Sequence, residues 1–165
     1  MALVLDGNLG VTFPVTAGSA SAVQASSGRV LQVVSATYAT ATSSSSSTFS
    51  DTGLTATITP SSSASKIFII INHNLNQKDS ANSSNAVGFQ LVRNGTNISS
   101  LANAIGFTAT ANPLYFNASF SYFDSPASIS ALTYKTQFSS YNNTATAYVQ
   151  INNTPAFITL MEIAA

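Results

Sequence analysis

The chain of 165 residues contains no cysteine, no tryptophan and a single histidine, His73. Without thiols there is no thiolate nucleophile, no thiolate zinc site and no iron–sulfur cluster. One imidazole and five scattered carboxylates (Asp6, Asp51, Asp79, Asp124 and Glu162) fall short of the ligand set that metal-assisted hydrolysis needs. No calcium loop of regularly spaced acids is present, so neither a metal nor another cofactor is expected. Charge is equally scarce, at 6% of residues, where soluble proteins carry about 25%. The five cations, Arg29, Lys66, Lys78, Arg93 and Lys135, are far apart in sequence. A surface that tracks phosphates needs them clustered, which excludes nucleic acid and electrostatic membrane binding as expectations. The longest unbroken apolar run, residues 67–71, is far short of the roughly 20 residues of a membrane-spanning helix, so membrane insertion is not expected. The start, residues 1–7, has no basic stretch and meets an aspartate early, so it does not read as a secretory signal.

What is abundant is hydroxyl and amide: Ser 27, Thr 19 and Asn 15 make up 61 of 165 residues. The polar surface must therefore hydrogen-bond without a long-range field. Five cations against five anions give a formal net charge of zero, which favours self-association. With so few titrating groups, such a surface should depend little on salt or pH.

Residues 1–28 carry glycines, one proline and small residues with scattered apolar side chains, and read as an extended N-terminal arm or linker. From residue 29 to 165 short alternating runs are separated by Ser, Asn, Gly and Pro clusters, the texture of an all-β domain. Leu54, Ala56 and Ile58 alternate with threonines; Phe116, Ala118, Phe120 and Tyr122 alternate with Asn and Ser; Leu132, Tyr134, Thr136 and Phe138 alternate with Thr133, Lys135 and Gln137. A period of two predicts half-buried strands. Val87, Phe89 and Leu91 lead into Asn94-Gly95, the strongest short signal for a tight hairpin, with a return strand around residues 97–101. Ala147–Ile151 and Phe157–Ile163 are expected to form a closing hairpin through Asn153-Thr154-Pro155. Residues 30–34 and 67–71 are apolar on both parities and predict strands covered on two sides, by the facing sheet and by a neighbouring subunit or the arm. Eight or nine strands without helical periodicity point to an antiparallel β-sandwich of jelly-roll type with an extended N-terminal arm.

Chemistry is hard to find in this chain. There is no phosphate-binding glycine loop and no GxSxG elbow for a serine nucleophile. His73 reads as a strand-end histidine with a hydrogen-bond partner. Glycoside cleavage needs two facing carboxylates, yet Asp51, Asp79 and Asp124 read as turn residues, and Glu162, alone in a strand, reads as partly buried and paired with a cation, or exposed at the strand end. No catalytic residue is expected. Tyr115, Phe123, Tyr141 and Tyr148 fall at strand ends, in loops or on polar parities. Aromatic faces flanked by amides and hydroxyls are the ingredients of a neutral-sugar site, and equally of residues that cover sheet edges or pack between subunits.

Leu3-Val4-Leu5-Asp6-Gly7, Gly10-Val11-Thr12-Phe13-Pro14, residues 28–34, Leu54–Pro60, residues 65–69 and the terminal Ile158–Ala164 together resemble small tail-fibre or virion-appendage proteins of tailed bacteriophages, notably those of cyanobacteria. The resemblance implies a virion structural protein made in the host cytoplasm, commonly a homotrimer, with Leu3, Val4, Leu5, Phe13 and Pro14 in an arm that docks on other virion proteins or threads between subunits. The β domain would then face outward and contribute to attachment to a host surface glycan. A capsid decoration or cement protein, and a polysaccharide-degrading appendage, are the alternatives.

Overall fold

The computed structural model describes residues 28–79, 84–142 and 145–165, together with the backbone of residues 4–6 and 10–12. Alternating apolar side chains favour extended backbone because one face can then be buried while the other stays wet. The chain follows this rule through strands β1 (Val4–Asp6), β2 (Gly10–Thr12), β3 (Val30–Tyr38), β4 (Thr42–Ser44), β5 (Ser50–Ile58), β6 (Lys66–Lys78), β7 (Asn85–Arg93), β8 (Thr96–Thr108), β9 (Leu114–Asp124), β10 (Leu132–Ser140), β11 (Ala147–Val149) and β12 (Ala156–Ile163). Every pairing is antiparallel.

The eight long strands form two sheets. In one, β12 lies between β3 and β6, and β9 covers the other side of β6. In the second the order is β5-β10-β7-β8. The long strands switch sheets at every connection except the β7–β8 hairpin, which is the double Greek-key weave of a jelly roll. That hairpin turns on Asn94 (φ 48°) and Gly95 (φ 86°), the two positive φ values a type I′ turn requires.

Inward-facing Ile67, Ile69 and Ile71 of β6 and Ile158 and Leu160 of β12 pack with Leu54 and Ile58 of β5, Leu91 of β7 and Leu132 and Tyr134 of β10. Each such aliphatic side chain contributes about 1.5–3 kcal/mol by leaving water. A second cluster, Val87, Phe89, Ala118, Phe138, Ala147 and Val149, fills the other end.

Several expectations are corrected. β11 and β12 do not form a hairpin. Both run antiparallel to β6, β11 at Gln77–Lys78 and β12 at Lys66–Asn72, so they lie in line along its side. The link between them contains three left-handed residues, Gln150, Asn152 and Asn153, which offset the chain without reversing it. The return strand β8 runs to Thr108, well past residue 101. Among the described residues Val30, Leu31 and Val33 of the edge strand β3 are exposed, while the inner face of β6 is covered by the facing sheet. Apart from these corrections, β1 pairs with β2 as a small sheet of its own within residues 1–28.

Candidate functional site

The ionisable residues sit in local networks. Asp51 is not in a turn but in β5, and its carboxylate accepts from Lys135 Nζ (2.7 Å) and Gln137 Nε2 (2.6 Å). Asp124 closes β9 and is buried, accepting from Arg93 (2.6 Å) and from the Tyr134 hydroxyl (2.6 Å). Glu162 is fully buried and has no cation as partner, contrary to expectation. It faces inward near the end of β12, where the loop after β5 folds over it: Oε1 accepts from the Ser61 backbone N–H (2.8 Å) and hydroxyl (2.7 Å), and Oε2 from Gln32 Nε2 (2.6 Å). Burial alone would raise its pKa, but these donors outweigh that cost and hold it down at about 2.

His73 is likewise not at a strand end. β6 continues to Lys78, so the imidazole lies fully buried between the sheets, stacked on Phe89 with ring centroids 5.0 Å apart. The Gln150 side-chain amide lies 3.4 Å from Nδ1 and Thr136 Oγ1 lies 3.0 Å from Nε2, so each ring nitrogen has a polar neighbour. Thr136 in turn bonds Thr52 (2.6 Å). Desolvation lowers the His73 pKa to about 4. Lys78 is also fully buried, with its ammonium donating to the carbonyls of Thr110 (2.7 Å) and Asn112 (3.0 Å) in the loop before β9. These contacts fasten strands and loops of the fold, and Asp51 and Lys135 also line a surface pocket with Gly53, Leu54 and Thr55. Among the described residues no three His, Asp or Glu side chains gather as metal ligands, and no helix is long and apolar enough to cross a membrane.

The surface that stands out is the outer face of the β3-β12-β6-β9 sheet. Strand register aligns Val33 with Met161, Met161 with Phe68 and Phe68 with Phe123. This puts four apolar side chains in one row across four strands. Val33 is 56% and Phe123 54% exposed, and the Phe68 and Phe123 rings lie 6.1 Å apart. The next two rows are mostly hydroxyl and amide, with Ser35 bonded to Thr159 (3.0 Å) and Ser119 to Asn72 (2.7 Å). At the opposite end of the same face the register aligns Ser43 with Tyr148, Tyr148 with Gln77, and Gln77 with Tyr115.

The four aromatic candidates are thus divided. Tyr115 and Tyr148 share one cross-strand row; Phe123 belongs to the apolar row at the other end of the face; Tyr141 is off the sheet, packed edge-on against Phe107 at 5.9 Å. Of the arm candidates, Val4 and Leu5 lie in β1, opposite Thr12 and Val11, while Leu3, Phe13 and Pro14 lie outside the described residues. Gln77, Phe68, Val33 and Met161 were not singled out in the sequence. The apolar residues on both parities of β3 and β6 were the signal for the outer row, but which of them share a row depends on register.

No protein-family model matches the chain, and no curated protein matches it. Among solved structures it is similar to the VP2 subviral particle of infectious bursal disease virus, with 15% identity and a TM-score of 0.37 over the whole of this chain and 42% of that one. The Gx strain of the same virus gives 14% identity and a TM-score of 0.32 over the whole of this chain and 41% of that one. The chain therefore spans about two fifths of the length of the solved chains it matches. Both likenesses are slight, and the jelly-roll assignment rests on strand order.

Proposed function

We propose that this protein is a structural subunit of a virion, a trimeric tail-fibre component that assembles through the apolar end of its outer sheet face and contributes to host-surface attachment. The observation that carries the reading is the row Val33–Met161–Phe68–Phe123, left open on a chain with no net charge to keep copies apart. A second copy is the occupant favoured by this composition, since apolar rows rimmed by hydroxyls and amides pack against one another without burying an unpaired charge. The resemblance of its sequence segments to phage appendage proteins supports the virion setting.

The test is absolute mass by light scattering after size exclusion. About three times 17.0 kDa is expected for the native chain, and the monomer mass for Val33→Glu combined with Phe123→Glu. A native monomer at tens of micromolar, or a trimer unmoved by the two glutamates, overturns this mode of assembly. Antibody labelling of purified particles at the tail supports the fibre assignment, and labelling over the head overturns it.

A further inference from the structure

We propose that the row Tyr148–Gln77–Tyr115, at the end of the outer face away from the apolar row, is a binding site for a neutral polysaccharide strand. The inference deepens the attachment reading and rests on it. Three strands build the site. β6 holds Gln77 in the centre, β11 places Tyr148 on one side, and β9 places Tyr115 on the other. Adjacent strands are about 4.8 Å apart, so the two tyrosines stand about 9–10 Å apart, a spacing at which they meet alternate rings of an extended sugar chain, with Gln77 under the ring between. Tyr115 is 55% exposed.

The side chains are free to act. Among the described residues Gln77, Tyr115 and Tyr148 engage in no side-chain hydrogen bond, whereas one row system away Asn72, Ser119, Ser35 and Thr159 are paired among themselves. A phenol offers a face for the apolar side of a sugar ring and a hydroxyl for its rim. The amide between supplies both donor and acceptor, which suits vicinal sugar hydroxyls that themselves do both. Ser43, exposed on β4 beyond Tyr148, extends the polar row.

Charge decides which sugars fit. The nearest cation in sequence, Lys78, points into the core, where its ammonium is committed to the Thr110 and Asn112 carbonyls. The next residue, Asp79, is acidic and half-buried. The row therefore offers no cation to a carboxylated or sulfated glycan, and an anion on its flank opposes one. A flat site of two stacking residues binds weakly by itself, and repeated copies in an assembly multiply its strength.

The experiment is saturation-transfer NMR of the intact chain with neutral hexasaccharides (α- and β-glucan, mannan, galactan and chitin) and with hexagalacturonate as the acidic counterpart, with affinity read from titration of the Gln77 side-chain amide resonance. At least one neutral hexasaccharide should bind and hexagalacturonate should not. Tyr115→Ala and Tyr148→Ala should each weaken binding about tenfold, the scale of losing one aromatic contact, while Tyr141→Ala leaves it unchanged. Tyr115→Ala removes an exposed side chain and keeps the test valid should the Tyr148 variant fail to fold. Absence of binding by every neutral sugar, preference for the acidic one, or equal loss in Tyr141→Ala overturns the site. Sugar binding by a chain that light scattering shows to be a monomer would sustain this site and overturn the assembly reading instead.

Discussion

The hydroxyl of Tyr134 on β10 reaches across the sandwich to Asp124 at the end of β9, donating a 2.6 Å hydrogen bond to Oδ2, the same oxygen that Arg93 holds. One carboxylate thereby joins strands of both sheets. The phenol is drawn inward by the core packing of β10, and its pKa is raised, first by burial and then by this bond to an anion. Tyr134→Phe is expected to destabilise the fold by about 2 kcal/mol, the cost of leaving a buried acceptor one donor short. Asp124→Asn should cost at least as much, because Arg93 then loses its anion. Chemical denaturation at pH 7 measures both, and a loss below about 0.5 kcal/mol for Tyr134→Phe would refute the bridge.

His73 makes stability depend on pH even though the surface has little to titrate. Its folded pKa, about 4, lies below the ordinary value of 6.5, so the unfolded chain binds the proton first. The stabilisation is complete above pH 6.5 and is lost as pH falls towards 4, to the extent of about 3 kcal/mol. The unfolding midpoint in urea should decline over that window in the native chain and stay flat in His73→Gln.

Glu162 governs a lower window. Its folded pKa of about 2 lies below the ordinary 4.5, so its contribution is present above pH 4.5 and is lost as pH falls towards 2. Glu162→Gln keeps the shape but turns an amide N–H₂ on donors from Ser61 or Gln32. It should destabilise by about 2 kcal/mol at pH 7 and make the decline below pH 4.5 shallower by this carboxyl's share. A His73→Gln variant that retains this lower limb would assign the two windows separately.

Gly53 sits in a bulge of β5, where three residues separate Thr55 from Asp51 while one separates their partners Lys135 and Gln137 on β10. Its φ is +89°, and a Cβ there would stand 2.1 Å from Cε1 of the Tyr38 ring. Gly53→Ala combines left-handed strain with this clash and is expected to cost about 2 kcal/mol or more. Tyr38→Ala in the same chain should restore part of the loss. Failure of Tyr38→Ala to recover any stability would show that backbone strain alone is responsible.

Much of the sandwich could be read along the chain because strand parity is a local property. Leu132, Tyr134 and Phe138 face inward as their spacing requires, and Asn94-Gly95 turns as its chemistry requires. The in-line arrangement of β11 and β12 could not be read in the same way. Asn153-Thr154-Pro155 carries a turn signal, but a turn that offsets the chain and one that reverses it use the same residues, and only the length of β6, able to pair with both strands, separates the outcomes. Glu162 misled for a related reason. A lone strand carboxylate suggests a cation, whereas the donors came from Gln32 and Ser61, distant in sequence and uncharged.

The sequence by itself determined that this is an all-β chain, short of charge, rich in hydroxyls and amides, and without thiols, since composition and period-two alternation belong to each segment regardless of its neighbours. The tertiary structure alone decided which side chains became neighbours. Tyr115 and Tyr148 are brought to either side of Gln77, and Val33, Met161, Phe68 and Phe123 into one row, because antiparallel register joins segments far apart in the chain. Register is set by which faces the two sheets bury against each other, and a slip of one residue would turn every one of these side chains to the opposite face.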